Sequence, residues 1–521
     1  MMTKFRTDMP VVHTNAGQVK GFENHGVHTF LGLAYGADTS GRGRFMPPRP
    51  AAPWTGVRLA YCHGDIAPQA PRRPSSPDDS AFMEDALLNG LQAGTQSEDC
   101  LRLNIWTPGL DTARRPVLVW LHGGHYSLGS GHDLAAYEGS NLARRGDVVV
   151  VSLNHRLNVL GHLNLSGFGD EFGSSANVGM LDIVLALQWV RDNIAAFGGD
   201  PDCVTIFGQS GGGGKVTTLM AMPAAKGLFH RAIVQSNCAL RQMDVATSLS
   251  LTAAVLDELG MPQAGASQLQ EVPYAQLSRA ELAAVARLSP PSNPARRNRR
   301  IRWEPVVDGN VLPRHGGWPD APAISASVPM LVGTTLNEFT HAIGQPDLEQ
   351  LSFEQVAADF ALSFGSSAAA VLTTFRDRYP ADRPFDIMSR AYSATIRQCA
   401  VEHAQSKAAL GAAPAWLYWF CWQTPLLDGR PRAYHNAELP FVFNNVERCS
   451  HGTGGGQEAV RLGEIVADAW IAFARHGNPE HPGLPAWPCV TPDGAQTMIL
   501  DAPSRFETNP DHDERMVAGA A

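Results

Sequence analysis

The sequence predicts an α/β fold built on a large, mostly parallel sheet. Two short apolar runs, PVLVWL at 116–121 and DVVVVSL at 147–153, suit strands that are buried on both faces. A stretch with apolar residues at helical spacing follows from Leu181 to Phe197, and Val204 to Met220 then reads as a strand, a sharp turn and a helix. This alternation is typical of parallel α/β sheets, whose active sites lie at the carboxyl ends of the strands.

The remaining elements extend the same pattern. Alternating apolar residues predict short strands near the N-terminus and a strand at 101–105, and two stretches, 248–289 and 353–411, are helix-prone. Further strands are predicted in the segments FHRAIVQSN at 229–237, VPMLVGTT at 328–335 and PAWLYWFCW at 414–422.

Length and composition are those of an ordinary globular protein. The chain has 521 residues, of which 44% are apolar, which suffices for one large domain or for two or three smaller ones. We expect a single domain over 1–521 with helical insertions around 65–96, 240–300 and 345–411.

The charge balance argues against nucleic acid as a partner. The formal net charge is −9, whereas binding a phosphate backbone usually needs a basic surface. One local exception is ARRNRRIR, which places five arginines between Arg296 and Arg302. Two interpretations stay open for this cluster: a solvated loop, which such runs usually are, or a patch that attracts anionic substrates.

The N-terminus does not suggest export, and the cysteines do not suggest a metal site. The N-terminal residues lack the apolar stretch of a signal peptide, and no apolar run predicts a membrane span. The 8 cysteines are scattered without C-x-x-C pairs, which argues against a zinc site or a disulfide framework. We therefore expect a cytoplasmic protein with mostly buried thiols.

The candidate nucleophile is Ser210 in the pentapeptide GQSGG. The flanking Gly208 and Gly212 suit a turn so tight that a Cβ would clash, and the strain would hold the serine hydroxyl at the top of the sheet. A phosphate-binding loop is excluded, because Gln209 stands where that motif needs glycine and Val216 follows the lysine. A glycine-rich turn with a buried serine remains possible on these residues alone.

The segment HGGH supplies candidate hydrogen-bond donors for an oxyanion. It directly follows a predicted strand, and Gly123 and Gly124 can present bare N–H groups that join the N–H of Gly211. The alternative is a metal site that uses His122 and His125. No carboxylate motif accompanies the two histidines, and a metal site would leave the two glycines unexplained.

Several long motifs follow one another along the chain. They are SEDCLRLNIWTP at 97–108, HGG at 122–124, NHRLNVLGHLNL at 154–165, the stretch 177–212, LFHRAIVQSN at 228–237, PVVDGNVLP at 305–313 and AWIAFARHGNP at 469–479. In this order they closely resemble the type B carboxylesterases, the family that includes the cholinesterases. The resemblance covers nearly the whole chain and implies an α/β-hydrolase fold with flanking helices and helical cap insertions. It also implies a bacterial-type serine esterase that acts on a small-molecule ester and needs no metal or organic cofactor.

The resemblance also implies the partners of Ser210. The family's acid follows a strand that ends in glycine, which gives Glu338 in VGTTLNEF, and its base opens the motif HNAELPFVF, which gives His435. Ser236 resembles a serine that hydrogen-bonds the acid. Spacing alone could not select His435 among 18 histidines, nor Glu338 over Asp308.

Departures from the family pattern bear on the substrate. Gln209 and Gly211 replace the usual glutamate and alanine of the elbow, and Lys215 stands where serine is frequent. A neutral amide beside the nucleophile makes the pocket less attractive to cations. The cholinesterases place a tryptophan that binds choline shortly before SEDC, and residues 84–96 contain none. Ala67 replaces the cysteine that would pair with Cys100, so we expect a reduced thiol.

The expected function is hydrolysis of neutral or acidic esters. His125, Tyr126 and Gln209 are expected to line the substrate pocket. An amidase or carbamate hydrolase on the same machinery is an alternative, and a non-catalytic binding protein related to the cholinesterases is another. The sequence specifies neither the ester nor the oligomeric state.

Overall fold

A central mixed sheet organises the structure. The computed structural model of the chain describes residues 9–70, 86–88, 94–237, 239–261, 265–289, 301–338 and 342–519. Its strands are β1 Val12–His13, β2 Gln18–Lys20, β3 Phe22–Asn24, β4 Val27–Ala34, β5 Val57–Leu59, β6 Arg102–Thr107, β7 Arg115–Leu121, β8 Val149–Leu153, β9 Gly199–Gln209, β10 Arg231–Gln235, β11 Met330–Thr335, β12 Ala415–Phe420, β13 Gln496–Leu500 and β14 Arg505–Thr508.

The predicted fold class is confirmed. Within the described ranges, 11 strands form one sheet in the order β14-β13-β12-β11-β10-β9-β7-β8-β6-β4-β3, and β1, β2 and β5 form a small second sheet. The seven neighbouring strands β8, β7, β9, β10, β11, β12 and β13 pair in parallel. Antiparallel strands extend the sheet at both edges. The large parallel section places many strand carboxyl ends along one edge.

Helices cover both faces of the sheet. The strand β7 shows why, because Val117, Val119 and Leu121 pack into one apolar core while Leu118 and Trp120 pack into the other. The α-helices are Ser140–Gly146, Asn158–His162, Val178–Asn193, Gly211–Leu219, Val245–Glu258, Ala266–Glu271, Tyr274–Leu288, Phe353–Phe364, Ala368–Arg378, Pro384–Ala409, Leu439–Val442, Ser450–Thr453, Gln457–His476 and His512–Gly519.

The two helix-prone stretches form apolar clusters of their own. Residues 245–288 fold into three helices that pack with the short helix Asn158–His162, and residues 353–409 fold into three helices that pack with the C-terminal helix. The predicted helix over 181–197 begins at Val178 and ends in a 3-10 turn at Ile194–Phe197. Most of the expected insertion at 65–96 lies outside the described residues.

One stretch has the length and composition of a membrane span, which we did not expect from the sequence. Within residues 353–378, a window of 18 residues has a mean hydropathy of 1.4. A turn at Gly365, where φ is 56°, divides them into two helices that pack in one cluster with Pro384–Ala409. Each of the two helices is shorter than the roughly 20 residues that cross a bilayer.

Candidate active site

Ser210 occupies a strained turn at the end of β9. Its φ is 57° and its ψ −123°, a backbone conformation that residues other than glycine rarely adopt. The N–H of Ser210 donates to the carbonyl of Gln235 on β10 over 2.8 Å, and its own carbonyl accepts from the N–H of Gly214 over 3.0 Å. The predicted sequence of strand, sharp turn and helix is therefore confirmed.

Close approach of neighbouring backbone explains the glycines around Ser210. A Cβ on Gly208 would lie 2.6 Å from the carbonyl oxygen of Leu121, and one on Gly212 would lie 2.0 Å from the same atom. The end of β7 thus presses against the turn, as the glycine bracket predicted. Any side chain at either position would force the elbow away from the sheet.

The HGGH loop lies directly over the elbow. A Cβ on Gly123 would lie 3.6 Å from Cβ of Ser210, and one on Gly211 would lie 2.4 Å from Cα of His125. Among the described residues, the N–H groups of Gly123, Gly124 and Gly211 donate no hydrogen bond to the protein. The loop and the elbow are therefore in close contact, which explains glycine at 211 where the family commonly has alanine. The role of Gly123, Gly124 and Gly211 as oxyanion donors stays a prediction.

The carboxyl ends of neighbouring strands bring the other candidates to the same edge. Ser210 follows β9, Glu338 follows β11 and His435 follows β12, while β10 lies between β9 and β11. The loops that carry Glu338 and His435 are joined by a bridge between Asn337 and Tyr434 and by a hydrogen bond of 3.1 Å from the Asn337 N–H to the carbonyl of Ala433.

Glu338 and His435 form a buried hydrogen-bonded pair. The Nδ1 atom of His435 contacts Oε2 of Glu338, and the other carboxylate oxygen accepts from the N–H of Thr335 over 3.0 Å. The side chains are almost fully buried, with 1% of Glu338 and 4% of His435 exposed. A carboxylate on Nδ1 fixes the imidazole tautomer, which leaves Nε2 as the nitrogen able to accept a proton.

Asp308, the rival acid, has a different role. Its carboxylate accepts hydrogen bonds from the N–H groups of Asn310 and Leu312 over 2.9 and 3.0 Å, and from the side-chain amide of Asn177 over 2.9 Å. These contacts cap its own turn and tie that turn to the scaffold. Of the two acids, Glu338 is the one that contacts a histidine.

A comparison with known families agrees with this geometry. The model of the carboxylesterase family matches residues 8–516. The chain belongs to the carboxylesterase family. The resemblance found in its motifs is thereby confirmed, and with it the α/β-hydrolase fold and the assignment as a carboxylic-ester hydrolase.

Individual carboxylesterases match over nearly the whole length. The para-nitrobenzyl esterase of Bacillus subtilis is 35% identical over 97% of both chains, and the phenmedipham hydrolase of Pseudarthrobacter oxydans is 34% identical over 94% of this chain and 95% of its own. Among solved structures, an esterase from Clostridium hathewayi that can hydrolyse aliphatic aromatic polyesters is 34% identical and covers 100% of both chains with a TM-score of 0.83.

Gln209 makes a buried contact in this carboxylesterase. Only 1% of the residue is exposed, and its Nε2 donates to the carbonyl oxygen of His435 over 2.9 Å. That Gln209 lines the substrate pocket stays a prediction. The side chain ties the residue before the nucleophile to the backbone of the candidate base.

Replacing Gln209 with methionine tests that tie. Gln209→Met keeps the side chain's length but leaves the His435 carbonyl without its donor, which costs about 1 to 3 kcal/mol for a buried group. We expect kcat for a p-nitrophenyl ester to fall about tenfold while KM changes little. Gln405→Met is the matched control. Gln405 lies on the helix Pro384–Ala409, away from Ser210, and its amide donates to the carbonyl of Gly494. Equal kcat values in both variants would contradict the role.

The structure does not give Ser236 the expected contact with the acid. Ser236 is buried, has a φ of 49°, and donates its N–H to the carbonyl of Gly333 over 2.8 Å. Its hydroxyl makes no hydrogen bond with any described residue. The expected hydrogen bond from Ser236 to Glu338 is therefore not formed among the described residues.

His125 and Tyr126, which follow Gly123 and Gly124, point in different directions. The ring of His125 reaches the surface, where Nη1 of Arg302 lies 3.0 Å from its Nε2, whereas Tyr126 is buried against the helix that follows Ser210. Tyr126 therefore backs the loop and does not face outward. Arg302 is described, but Arg296, Arg297, Arg299 and Arg300 lie outside the described residues, so the cluster's role stays a prediction.

The sequence did not predict that a buried lysine holds the HGGH loop in place. Lys215 is fully buried, and its Nζ donates to the carbonyls of His122 and His125 over 2.8 and 2.9 Å. Cys100, in contrast, is a buried free thiol as expected, and burial raises its pKa. A lysine inside a glycine-rich helix start was visible in the sequence, but its partners were not.

Proposed function

We propose that this carboxylesterase cleaves esters through an acyl-enzyme intermediate on Ser210. The observation that carries the proposal is the buried pair of Glu338 and His435 at the same sheet edge as the strained serine. His435 acts as the base, Glu338 orients it, and the N–H groups of Gly123, Gly124 and Gly211 stabilise the oxyanion.

The chemistry follows from what each group can exchange. His435 Nε2 takes the hydroxyl proton of Ser210 as Oγ attacks the ester carbonyl, and the negative charge on the carbonyl oxygen is met by the backbone donors. The tetrahedral intermediate collapses, and His435 returns the proton to the departing alcohol. Water, deprotonated by the same histidine, then attacks the acyl-enzyme and releases the carboxylic acid. Glu338 stays ionised and stabilises the imidazolium.

The proposed substrates are small neutral or acidic esters. The residue before the nucleophile is a neutral amide, and the cationic Arg302 lies beside the oxyanion loop. Both features disfavour a cationic ester. Among the relatives, one is named for a para-nitrobenzyl ester activity, which fits an uncharged aromatic ester of this class.

Covalent labelling tests the proposal. A fluorophosphonate should react with Ser210, because phosphonylation uses the same nucleophile, base and oxyanion donors as acylation. We expect one phosphonate per chain on the peptide that contains Ser210, with hydrolysis of p-nitrophenyl butyrate lost in proportion to labelling.

The choice of ester sharpens the test. Matched thiobutyrate esters that carry a neutral, an acidic or a quaternary ammonium alcohol group are compared by kcat/KM, and the ammonium ester should be the poorest. Labelling at another residue, or activity that survives complete labelling of Ser210, would contradict the mechanism. A preference for the ammonium ester would contradict only the proposed substrate class.

A further inference from the structure

We propose that Lys215 is a positioning residue of the oxyanion hole, whose Nζ spans the HGGH loop and polarises the peptide that carries the N–H of Gly123. The inference rests on the proposed function of this loop. Its basis is the pair of hydrogen bonds from Nζ to the carbonyls of His122 and His125. These two residues flank the two oxyanion glycines.

The carbonyl of Gly124 accepts from the N–H groups of Ser127 and Leu128 over 3.3 and 3.1 Å, and Lys215 adds a restraint that spans both glycines. Gly124 has a φ of 79° and His125 a φ of 54°, so two successive residues adopt left-handed conformations. Glycine pairs are flexible, and an oxyanion donor stabilises charge well only when it is fixed before reaction. A single buried ammonium bonded to both sides of the turn fixes its span.

The bond to His122 also acts on the donor itself. The carbonyl of His122 and the N–H of Gly123 belong to one peptide group. A charged donor on that carbonyl draws electron density toward the oxygen and leaves the N–H more positive, so the two hydrogen bonds strengthen each other. The same polarisation reaches the N–H of Tyr126 through His125, which is not one of the proposed donors.

The surroundings of Lys215 make its charge responsive to pH. Burial lowers the pKa of Lys215 to about 7, and Asp133 opposes that shift. The ring of Tyr126 lies 5.5 Å from Nζ. His155 and His162 also face the ammonium, and burial lowers the pKa of both below its usual range.

His125 and Tyr126 do not contribute to the pH dependence expected from Lys215. Desolvation and the guanidinium of Arg302 lower the pKa of His125, and burial raises the pKa of Tyr126. Both groups therefore keep one charge state from pH 6 to 9. The ammonium form of Lys215 is present below its pKa and is lost as the pH rises, while a neutral amine can still donate to both carbonyls.

Lys215→Met tests the proposal, with Lys407→Met as its matched control. Lys407 is a second buried lysine and lies on the helix Pro384–Ala409. Its Nζ donates to two carbonyls, those of Ser325 and Ala326. Each variant removes a buried charge and leaves two carbonyls without a donor. Both are therefore expected to lower the melting temperature, but only Lys215→Met should affect catalysis.

The readouts are kinetic and specific to the oxyanion. We expect Lys215→Met to lower kcat at pH 6 about tenfold with KM nearly unchanged, and to weaken binding of a trifluoromethyl ketone by a similar factor, since that inhibitor forms an oxyanion on the serine. The ratio of wild-type to variant kcat/KM should shrink as the pH rises from 6 to 9, because the wild type loses its ammonium over this range. Lys407→Met should leave these values within twofold of wild type.

Each outcome has a defined meaning. Wild-type rate and ketone affinity in a folded Lys215→Met, or an equal loss in Lys407→Met, would overturn the role of Lys215. If Lys215→Met does not fold, Lys215→Gln keeps a neutral donor and should also show a deficit at pH 6 that shrinks as the pH rises to 9. A wild type without ester turnover, or Ser210→Ala with turnover, would instead overturn the proposed function.

Discussion

Replacing Ser210 with alanine is expected to lower kcat for p-nitrophenyl butyrate by roughly four to six orders of magnitude. The substitution removes the oxygen that forms the acyl bond, and no neighbouring side chain can substitute for it. The two backbone hydrogen bonds that hold the turn, from Ser210 N–H to Gln235 and from Gly214 N–H to Ser210, do not depend on the hydroxyl. The fold should therefore survive, and the affinity for a non-covalent substrate analogue should stay close to wild type.

The control is a buried serine at the opposite end of the sheet. Ser325 precedes β11 and donates its hydroxyl to the carbonyl of Pro322 over 3.1 Å. Ser325→Ala should change kcat less than threefold, because surface and scaffold hydroxyls act on stability alone. Circular dichroism and a melting curve show whether each variant is folded. A folded Ser210→Ala with more than about one hundredth of the wild-type rate would exclude Ser210 as the nucleophile.

The parts of the fold that the sequence predicts are those set by local patterns. Strands β7 and β8 are continuous apolar runs because both faces of a parallel strand are buried. The elbow can be predicted from the sequence because its glycines are required. A Cβ on Gly208 or Gly212 would lie less than 3 Å from the carbonyl oxygen of Leu121. Short strands near the C-terminus, β13 and β14, carry no such signal, since five and four residues give too little periodicity.

The candidate site was predictable through motifs and less so through individual side chains. Gln209 reads as a pocket residue because it is polar and adjacent to the nucleophile, yet its partner lies 226 positions away. The partners of Lys215 lie 93 and 90 positions away. No local pattern reports such contacts, because they depend on how the loops meet after the sheet is formed. The expectation of a cytoplasmic protein stays a prediction.

Exchanging the acid for its amide separates the two carboxylates that the sequence could not distinguish. Glu338→Gln is expected to lower kcat about a thousandfold to ten thousandfold with little change in KM. The amide keeps the size of the side chain, but its NH₂ group facing Nδ1 would favour the tautomer that carries the proton on Nε2. His435 could then not accept the proton of Ser210, and no negative charge would stabilise the imidazolium.

Asp308→Asn is the matched control, since it makes the same chemical change in a carboxylate that accepts from Asn177, Asn310 and Leu312. An amide oxygen can still accept from the backbone N–H groups of Asn310 and Leu312. The stability of Asp308→Asn should therefore fall modestly, and its kcat should stay within threefold of wild type. A larger kcat loss in Asp308→Asn than in Glu338→Gln would reverse the assignment. The expected difference in kcat arises because, of these two carboxylates, Glu338 is the one that contacts a histidine. A negative charge at that position acts directly on the proton transfer.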